Sequence, residues 1–597
     1  MNLAIHSLRS LYVSGEATPS SVIAEVYDRI GRSRTQPVWI SLVSRETALD
    51  RARELERDPA ARQQPLYGIP FAIKDNIDVA GLATTAGCPA YAYTPRRSAT
   101  VVERLIAAGA IPIGKTNLDQ FATGLVGTRS PYGACSSVFD ARYISGGSSS
   151  GSAVAVAQGL VSFSLGTDTA GSGRIPAAFN NLVGLKPTRG VLSTAGVVPA
   201  CRTLDCVSVF AVACWDAQAV WRAARGYDAR DSYSRAPDPG AEAAPWAAAD
   251  FRFGVPAPDQ LEFFGDAEAA QLYKAALQRL EALGGTRVEI DFSIFKTAAE
   301  LLYQGPWVAE RLAAIQPFFA SHASEMNPVV RGIIAGAQKY SAVDAFQAEY
   351  ELRALRGRAE RVWAQMDVLV TPSAPAMYTH EEIAADPVRL NSNLGYYTNF
   401  VNLMDLAALA APAGFRSNGL PFGITFIGPA FGDEALLALA DRHHRALEEV
   451  AGPAVELGSC PPGCIAVAVV GAHLSGQPLN WLLTERRARV LRVTKTLPCY
   501  RLYALPGTQP PKPGLVRNEG FIGPGIELEV WAVPENEFGS FVAAVTPPLA
   551  IGDATLETGE TVKCFLCEPY ALSGATEITQ FGGWRAFLAN QISQASV

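Results

Sequence analysis

Two glycine- and serine-rich turns hold the residues best suited to chemistry: Ile144-Ser-Gly-Gly-Ser-Ser-Ser-Gly-Ser152 and Gly166-Thr-Asp-Thr-Ala-Gly-Ser-Gly-Arg-Ile-Pro176. A hydroxyl among small residues can attack a carbonyl, and glycines let successive N–H groups converge on the oxyanion that forms. Either turn alone also fits an ordinary solvated loop; the pair, joined by an apolar run through Leu165, points to a serine nucleophile. Such a serine needs a proton acceptor. The histidines are His6, His322, His380, His443, His444 and His473, so none lies near the turns in sequence. Lys74, at the end of the apolar run Phe71-Ala-Ile73, is closer. A lysine acts as a base near neutrality when burial or neighbouring cations lower its pKa from about 10.4, and an apolar strand supplies burial.

The surrounding pattern must place these groups. If a helix begins near Ser172, the N–H groups of Thr169, Ala170, Gly171 and Ser172 are free to converge on an oxyanion, while Asp168 fits a loop tether. From Leu3 to Leu55 the spacing is mostly helical, with Thr18-Pro-Ser-Ser21 as a start signal. A helix over Thr100–Gly109 feeds a strand at Ile111–Gly114, and Arg174–Arg189 reads as a helix followed by a strand. This alternation predicts a mixed α/β sheet with helices on both faces. Lys115–Phe121 and Thr123–Ser130 fit a loop lining the pocket and fit a glycine-rich surface turn as well, and Lys115 is left outside the catalytic set. Asp228–Asp250 reads as an exposed connection, Phe251–Pro256 as a strand and Asp266–Gly285 as a helix. Pro306 suits a first helical turn, with Tyr303 just before that helix and Arg311 within it. Pro421–Gly428 reads as a strand, and Asp433–Val450 as a helix with His443 and His444 on its solvated face.

With 597 residues, 49% of them hydrophobic and 18% charged, the chain can bury a sizeable core. A net charge of −7 and a pI near 5.6 argue against a nucleic-acid platform. No secretory leader and no membrane-length apolar run is visible, so a soluble, cytoplasmic protein is expected. The ten cysteines are too sparse for a disulfide scaffold. Cys564-Phe-Leu-Cys567 lacks the second ligand pair of a zinc site and reads as a buried strand; neither metal nor cofactor is expected. Proline and glycine between Gly452 and Gly463 mark a boundary, giving domains 1–455 and 465–597. Strands at Ile465–Val470, Val490–Thr494, Cys499–Leu505, Gly525–Val533 and Phe541–Val545 predict a small β-rich barrel with helices. His473, the single histidine of that domain, lies in a loop after a strand, where an imidazole can transfer protons or hold an anion.

Lys74, Ser148 and Ser172, in the motifs Tyr67–Asn76, Gly146–Ser152 and Gly166–Ser172, resemble the amidase signature family and its Ser-cisSer-Lys triad, over about Leu8 to His444. The resemblance implies that Ser172 is the nucleophile, Ser148 a bridging serine with a cis peptide, and Lys74 the base. Tyr303 and Arg311, eight residues apart, resemble the pair with which the allophanate hydrolase subgroup holds its substrate's carboxylate; arginine's planar fork suits that task. The second domain, mainly through Val470–Asn480, resembles that subgroup's C-terminal α+β domain, similar in outline to γ-glutamyl cyclotransferases. Hydrolysis of allophanate to ammonia and carbon dioxide is thereby implied, with the C-terminal domain and His473 aiding loss of carbon dioxide. A small-molecule substrate, a homodimer and a urea carboxylase partner are implied too, with no nucleic acid and no membrane. The alternatives are another amidase signature hydrolase, the glutaminase subunit of an amidotransferase, and a catalytically silent scaffold.

Overall fold

A computed structural model of the chain describes residues 2–33, 36–236, 250–451, 460, 463–474, 477–486, 488–557 and 559–595. Two compact units, Met1–Leu447 and Glu448–Val597, emerge from the contacts. The boundary expected at 455–465 falls almost wholly outside the described residues.

In the first unit, eleven strands among the described residues share one mixed sheet. They are β1 Trp39–Leu42, β2 Pro70–Lys74, β3 Ile111–Thr116, β4 Phe163–Asp168, β5 Val183–Lys186 and β6 Cys206–Ala211, then β7 Phe251–Pro256, β8 Gly285–Ile290, β9 Val368–Pro372, β10 Leu406–Phe415 and β11 Pro421–Pro429. Their order is β1-β3-β2-β4-β6-β5-β10-β11-β9-β7-β8. β2 runs parallel to both β3 and β4, and β7 parallel to β8 and β9; the other pairings are antiparallel. Side chains alternate between two cores. Ala407, Leu409, Val368, Val370 and Phe426 join one apolar cluster, while their neighbours Leu406, Ala408, Leu369 and Ile427 join another. That period of two is what a sheet covered on both faces requires.

Local signals explain most elements. The helix Pro19–Arg32 starts where Thr18 accepts the Ser21 N–H and Ser21 reaches back to Thr18, a capping box with proline in the first turn. The helix Thr100–Ala107 leads into β3, and Ile175–Phe179 precedes β5. Several expectations need correction. β1 interrupts the run Leu3–Leu55: Trp39-Ile-Ser-Leu42 pairs with β3, because aromatic and branched residues fill a sheet edge better than a helix. His443 and His444 are buried rather than solvated, with Arg279 Nη1 3.0 Å from His443 Nε2. Their helix, Asp433–Ala451, turns that face toward Phe426. Asp228 and Asp231 are also buried, the first accepting from Thr100 and Ser193, the second from Thr194; most of the remaining expected connection lies outside the described residues.

The second unit holds β12 Cys464–Val469, β13 Arg489–Lys495, β14 Tyr500–Ala504, β15 Pro513–Arg517, β16 Glu527–Pro534, β17 Leu549–Thr555, β18 Thr561–Cys567 and β19 Thr576–Glu577. Sheets of order β13-β16-β12-β18-β17 and β15-β14-β19 result. The edges β13 and β17 meet again at the bridge Thr496–Leu556, which curls the larger sheet toward closure. Phe541 lies in a helix, Glu535–Ala543, and not in a strand: Pro534 precedes it, acidic residues occupy its first turn and Phe541 faces the core. Cys564 and Cys567 both lie buried in β18. Three residues apart, they point to opposite faces, an arrangement for packing rather than for sharing a ligand.

Candidate active site

Lys74 ends β2 with its side chain fully buried. Its Nζ donates to Ser148 Oγ at 2.8 Å and to Thr167 Oγ1 at 2.7 Å. Among the described residues no carboxylate pairs with it. Burial, working against the nearby Asp119, Asp168 and Asp205, pulls its pKa from 10.5 down to about 7. Lys115 makes the contrast: equally buried, it forms an ion pair with Asp75 at 3.2 Å and donates to Thr84, which accounts for it structurally.

Ser148 follows a cis peptide bond from Gly147, and its carbonyl accepts from Asp119 N at 3.0 Å. Ser172 is buried, with Oγ 3.5 Å from the Gly124 carbonyl. The loop between β4 and Ser172 is braced by Asp168, which accepts from Gly171 N (2.8 Å), Gly173 N (3.0 Å) and both ends of the Arg174 guanidinium (2.9 Å each). Burial works to raise the Asp168 pKa, but Arg174 and these hydrogen bonds hold it below its usual range. Gly171 has φ +129, and a Cβ there would run into Thr398; glycine alone fits this turn. Its N–H is committed to Asp168, whereas those of Thr169, Ala170 and Ser172 find no acceptor among the described residues.

Arg311 and Tyr303 meet as a pair, though on two helices: Tyr303 ends Ser293–Tyr303, and Arg311 lies in the next, Val308–His322. Pro306 falls in the connection between them. Arg311 is 2% exposed. It donates to the Tyr303 hydroxyl at 3.1 Å and to Thr123 Oγ1 at 3.0 Å, while Nε has no partner among the described residues. Among those residues no carboxylate forms an ion pair with it. The same short segment thus touches both groups, Thr123 at Arg311 and Gly124 at Ser172. Just before it, Phe121 and Ala122 both adopt φ 50, strained backbone of the kind that clusters at binding sites, at roughly 1–3 kcal/mol each.

Comparison with known proteins gives the family. An amidase family model matches residues 21–437, and a model for the allophanate hydrolase C-terminal domain matches 465–589. The chain belongs to the amidase family. Among relatives of this amidase, the urea amidolyase of Saccharomyces cerevisiae is 46% identical over 575 residues, covering 92% of the present chain and 31% of its own length. The chain therefore spans about a third of the curated urea amidolyases it matches. One chain of a glutamyl-tRNA(Gln) amidotransferase from Thermosynechococcus vestitus is 34% identical, covering 73% of this chain and 96% of its own length. An allophanate hydrolase structure from Kluyveromyces lactis superposes with a TM-score of 0.71 at 44% identity, covering 97% of this chain and 98% of that one.

His473, in the second unit, stacks on Phe565 at 4.7 Å and meets Phe541 edge-on at 6.0 Å. Burial, with Lys512 nearby, lowers its pKa to about 4, so the ring is neutral at physiological pH. Sequence reasoning missed Thr167 and Thr123 as partners of Lys74 and Arg311. Thr167 stands inside the Gly166–Ser172 motif, but nothing in its spacing marks it as facing a lysine from β2. No helix among the described residues is long and apolar enough to cross a membrane.

Proposed function

We propose that this amidase hydrolyses allophanate through Ser172, with Lys74 as base and Ser148 as the relay between them. The observation that carries the substrate assignment is Arg311, a buried cation with no carboxylate of its own among the described residues, which shares the Thr123–Gly124 segment with Ser172. An unpaired buried charge is costly, and an anionic ligand offsets that cost. In this reading the substrate carboxylate lies against Arg311 and Tyr303, and its terminal amide carbonyl lies at Ser172. Ser172 Oγ forms the C–O bond as its proton passes to Ser148 and that of Ser148 to neutral Lys74. The reverse relay protonates the departing nitrogen, and ammonia leaves. Thr169, Ala170 and Ser172 supply the oxyanion N–H donors; Gly171 shapes the turn instead. Water then releases the acyl group as a dicarboxylate that loses carbon dioxide. The test is ammonia release from allophanate beside biuret, malonamide and glutamine. Equal turnover of glutamine would sink the assignment in favour of a glutaminase.

Replacing Arg311 with Ala is expected to remove about 1.5–3 kcal/mol of carboxylate binding, roughly 10- to 150-fold in kcat/KM on allophanate. Malonamide, a neutral amide, should lose far less. Steady-state kinetics on both substrates checks this, and an equal loss on malonamide would give Arg311 a purely structural role.

His473 fits a second step, the loss of carbon dioxide from the released dicarboxylate, acting as a neutral imidazole because its pKa lies near 4. His473→Ala is expected to leave the burst of ammonia from the first cleavage unchanged while the dicarboxylate persists longer, followed by carbon-13 NMR of labelled allophanate. Loss of the first burst would remove His473 from this step. The domains are assigned as 1–455 and 465–597, the protein as a cytoplasmic homodimer, and its functional partner as a urea carboxylase; that last reading is supported by the urea amidolyase relatives, of whose length this chain covers 31%.

A further inference from the structure

Two residues that stand outside the motif Gly166–Ser172 hold the loop in front of Ser172. Asn402, fully buried in the short helix Phe400–Leu403, donates through Nδ2 to the Asp168 carbonyl at 2.8 Å and to the Leu204 carbonyl at 2.8 Å. Two carbonyl acceptors fix which end of the amide is nitrogen, and its Oδ1 has no partner among the described residues. A buried amide left half-satisfied is costly, so what this position requires is the pair of donors. Asp205 follows directly on Leu204 and is 7% exposed. Its Oδ1 accepts from the Thr169 hydroxyl at 2.5 Å and from Cys201 N at 3.2 Å, and its Oδ2 from Ala200 N at 2.8 Å.

We propose that Asn402 and Asp205 are positioning residues for the reaction, which together aim the N–H of Thr169 at the oxyanion. The Asp168–Thr169 peptide is trans, so its carbonyl and its N–H point in opposite directions. With the carbonyl committed to Asn402, the Thr169 N–H is turned to the other side, where no group among the described residues accepts it. A single hydrogen bond still lets the peptide rock. The Thr169 side chain supplies the second hold, through a short O–H···O bond of the kind a carboxylate accepts, to an Asp205 whose own orientation two backbone amides fix. Asn402 also grips Leu204, so the loop and the turn bearing Asp205 are tied through one side chain. Asp168 secures the far side of the loop through Gly171 and Gly173. A donor held in place before charge develops needs no reorganisation when the oxyanion forms. The role rests on the reading of Ser172 as nucleophile and Thr169 as oxyanion donor, and adds what sets that donor's direction.

Steady-state kinetics on allophanate with Thr169→Val, Thr169→Ser and Asn402→Ala tests this. Acyl transfer to Ser172 and release to water both pass through an oxyanion, so a misaimed donor lowers kcat whichever step limits and leaves KM nearly alone. Thr169→Val, which removes only the hydroxyl, is expected to lose roughly tenfold in kcat, and Asn402→Ala roughly 10- to 100-fold, against a ceiling of about 10²–10³ for a donor removed outright. In both, KM should stay within about twofold of native. Thr169→Ser keeps the hydroxyl and should stay within about threefold of the native kcat. Native kcat in either Thr169→Val or Asn402→Ala, or losses that appear in KM instead, overturns the proposal. So does a Thr169→Ser variant as damaged as Thr169→Val, since packing and not the hydroxyl would then be at stake. Should Asn402→Ala fail to fold, Thr169→Val and Thr169→Ser decide alone. Ser172→Ala separates the underlying reading. If that variant still turns over, the nucleophile is elsewhere and the donor role of Thr169 falls with it; an inactive Ser172→Ala beside a fully active Thr169→Val overturns the positioning alone.

Discussion

Ser172→Ala is expected to lower kcat on allophanate by a factor on the order of 10⁴ or more, with no covalent adduct on the protein. In the proposed mechanism the residues around Ser172 hold the substrate and do not replace a nucleophile. The other hydroxyls of the candidate site already have other work: Ser148 accepts from Lys74, and Thr123 accepts from Arg311. Losses in such a relay are non-additive, so the single change should remove nearly all the covalent chemistry. Among the described residues Ser172 Oγ makes one weak hydrogen bond, to the Gly124 carbonyl at 3.5 Å, so the variant should fold and bind substrate normally. Intact-mass spectrometry of the native enzyme quenched during turnover should reveal the acyl-enzyme and that of the variant should not. An adduct that survives in Ser172→Ala would place the nucleophile elsewhere.

Lys74→Met is expected to lose activity nearly as completely, and the native enzyme should report the same group in its pH profile. With the Lys74 pKa near 7, the amine is neutral above that pH and can take the proton; below it the amine is charged and cannot. kcat/KM should therefore rise through about pH 7 and fall about tenfold for each unit below it. Stability carries the opposite signature of a structural lysine. Between about pH 7 and 10.5 the unfolded chain binds the lysine proton while the folded site does not, so burial of Lys74 costs stability at neutral pH, and that cost shrinks as pH rises. Lys74→Met, close in length and without the charge, is expected to raise the melting temperature at pH 7 while abolishing turnover. If the variant melts lower and keeps an acidic limb near pH 7, the lysine is structural and another group is the base.

Arg174 makes the contrast with Arg311. Arg174 is equally buried, yet Asp168 takes both ends of its guanidinium at 2.9 Å. Arg174 and Asp168 neutralise one another and brace a turn, while Arg311, which forms no ion pair with a carboxylate among the described residues, donates to the hydroxyls of Thr123 and Tyr303.

The sequence by itself determined what is local. Small residues in Gly146–Ser152 and Gly166–Ser172 dictated tight turns, Thr18-Pro-Ser-Ser21 dictated a helix start, and alternating strand and helix patterns dictated a mixed sheet, because these depend on a residue and its near neighbours in the chain. The motifs also singled out Lys74, Ser148 and Ser172. Tertiary structure decided what depends on segments far apart. Lys74 gains Thr167 across ninety-three positions, and that enclosure, outweighing the nearby Asp119, Asp168 and Asp205, brings its pKa to about 7. Lys115, with nearly the same local apolar setting, is instead paired with Asp75 forty positions away. His443 and His444 were expected on a solvated face, but their helix packs that face against Phe426 and Arg279. Periodicity shows that a helix has two faces; which of them meets water is set by the partners that the fold brings to it.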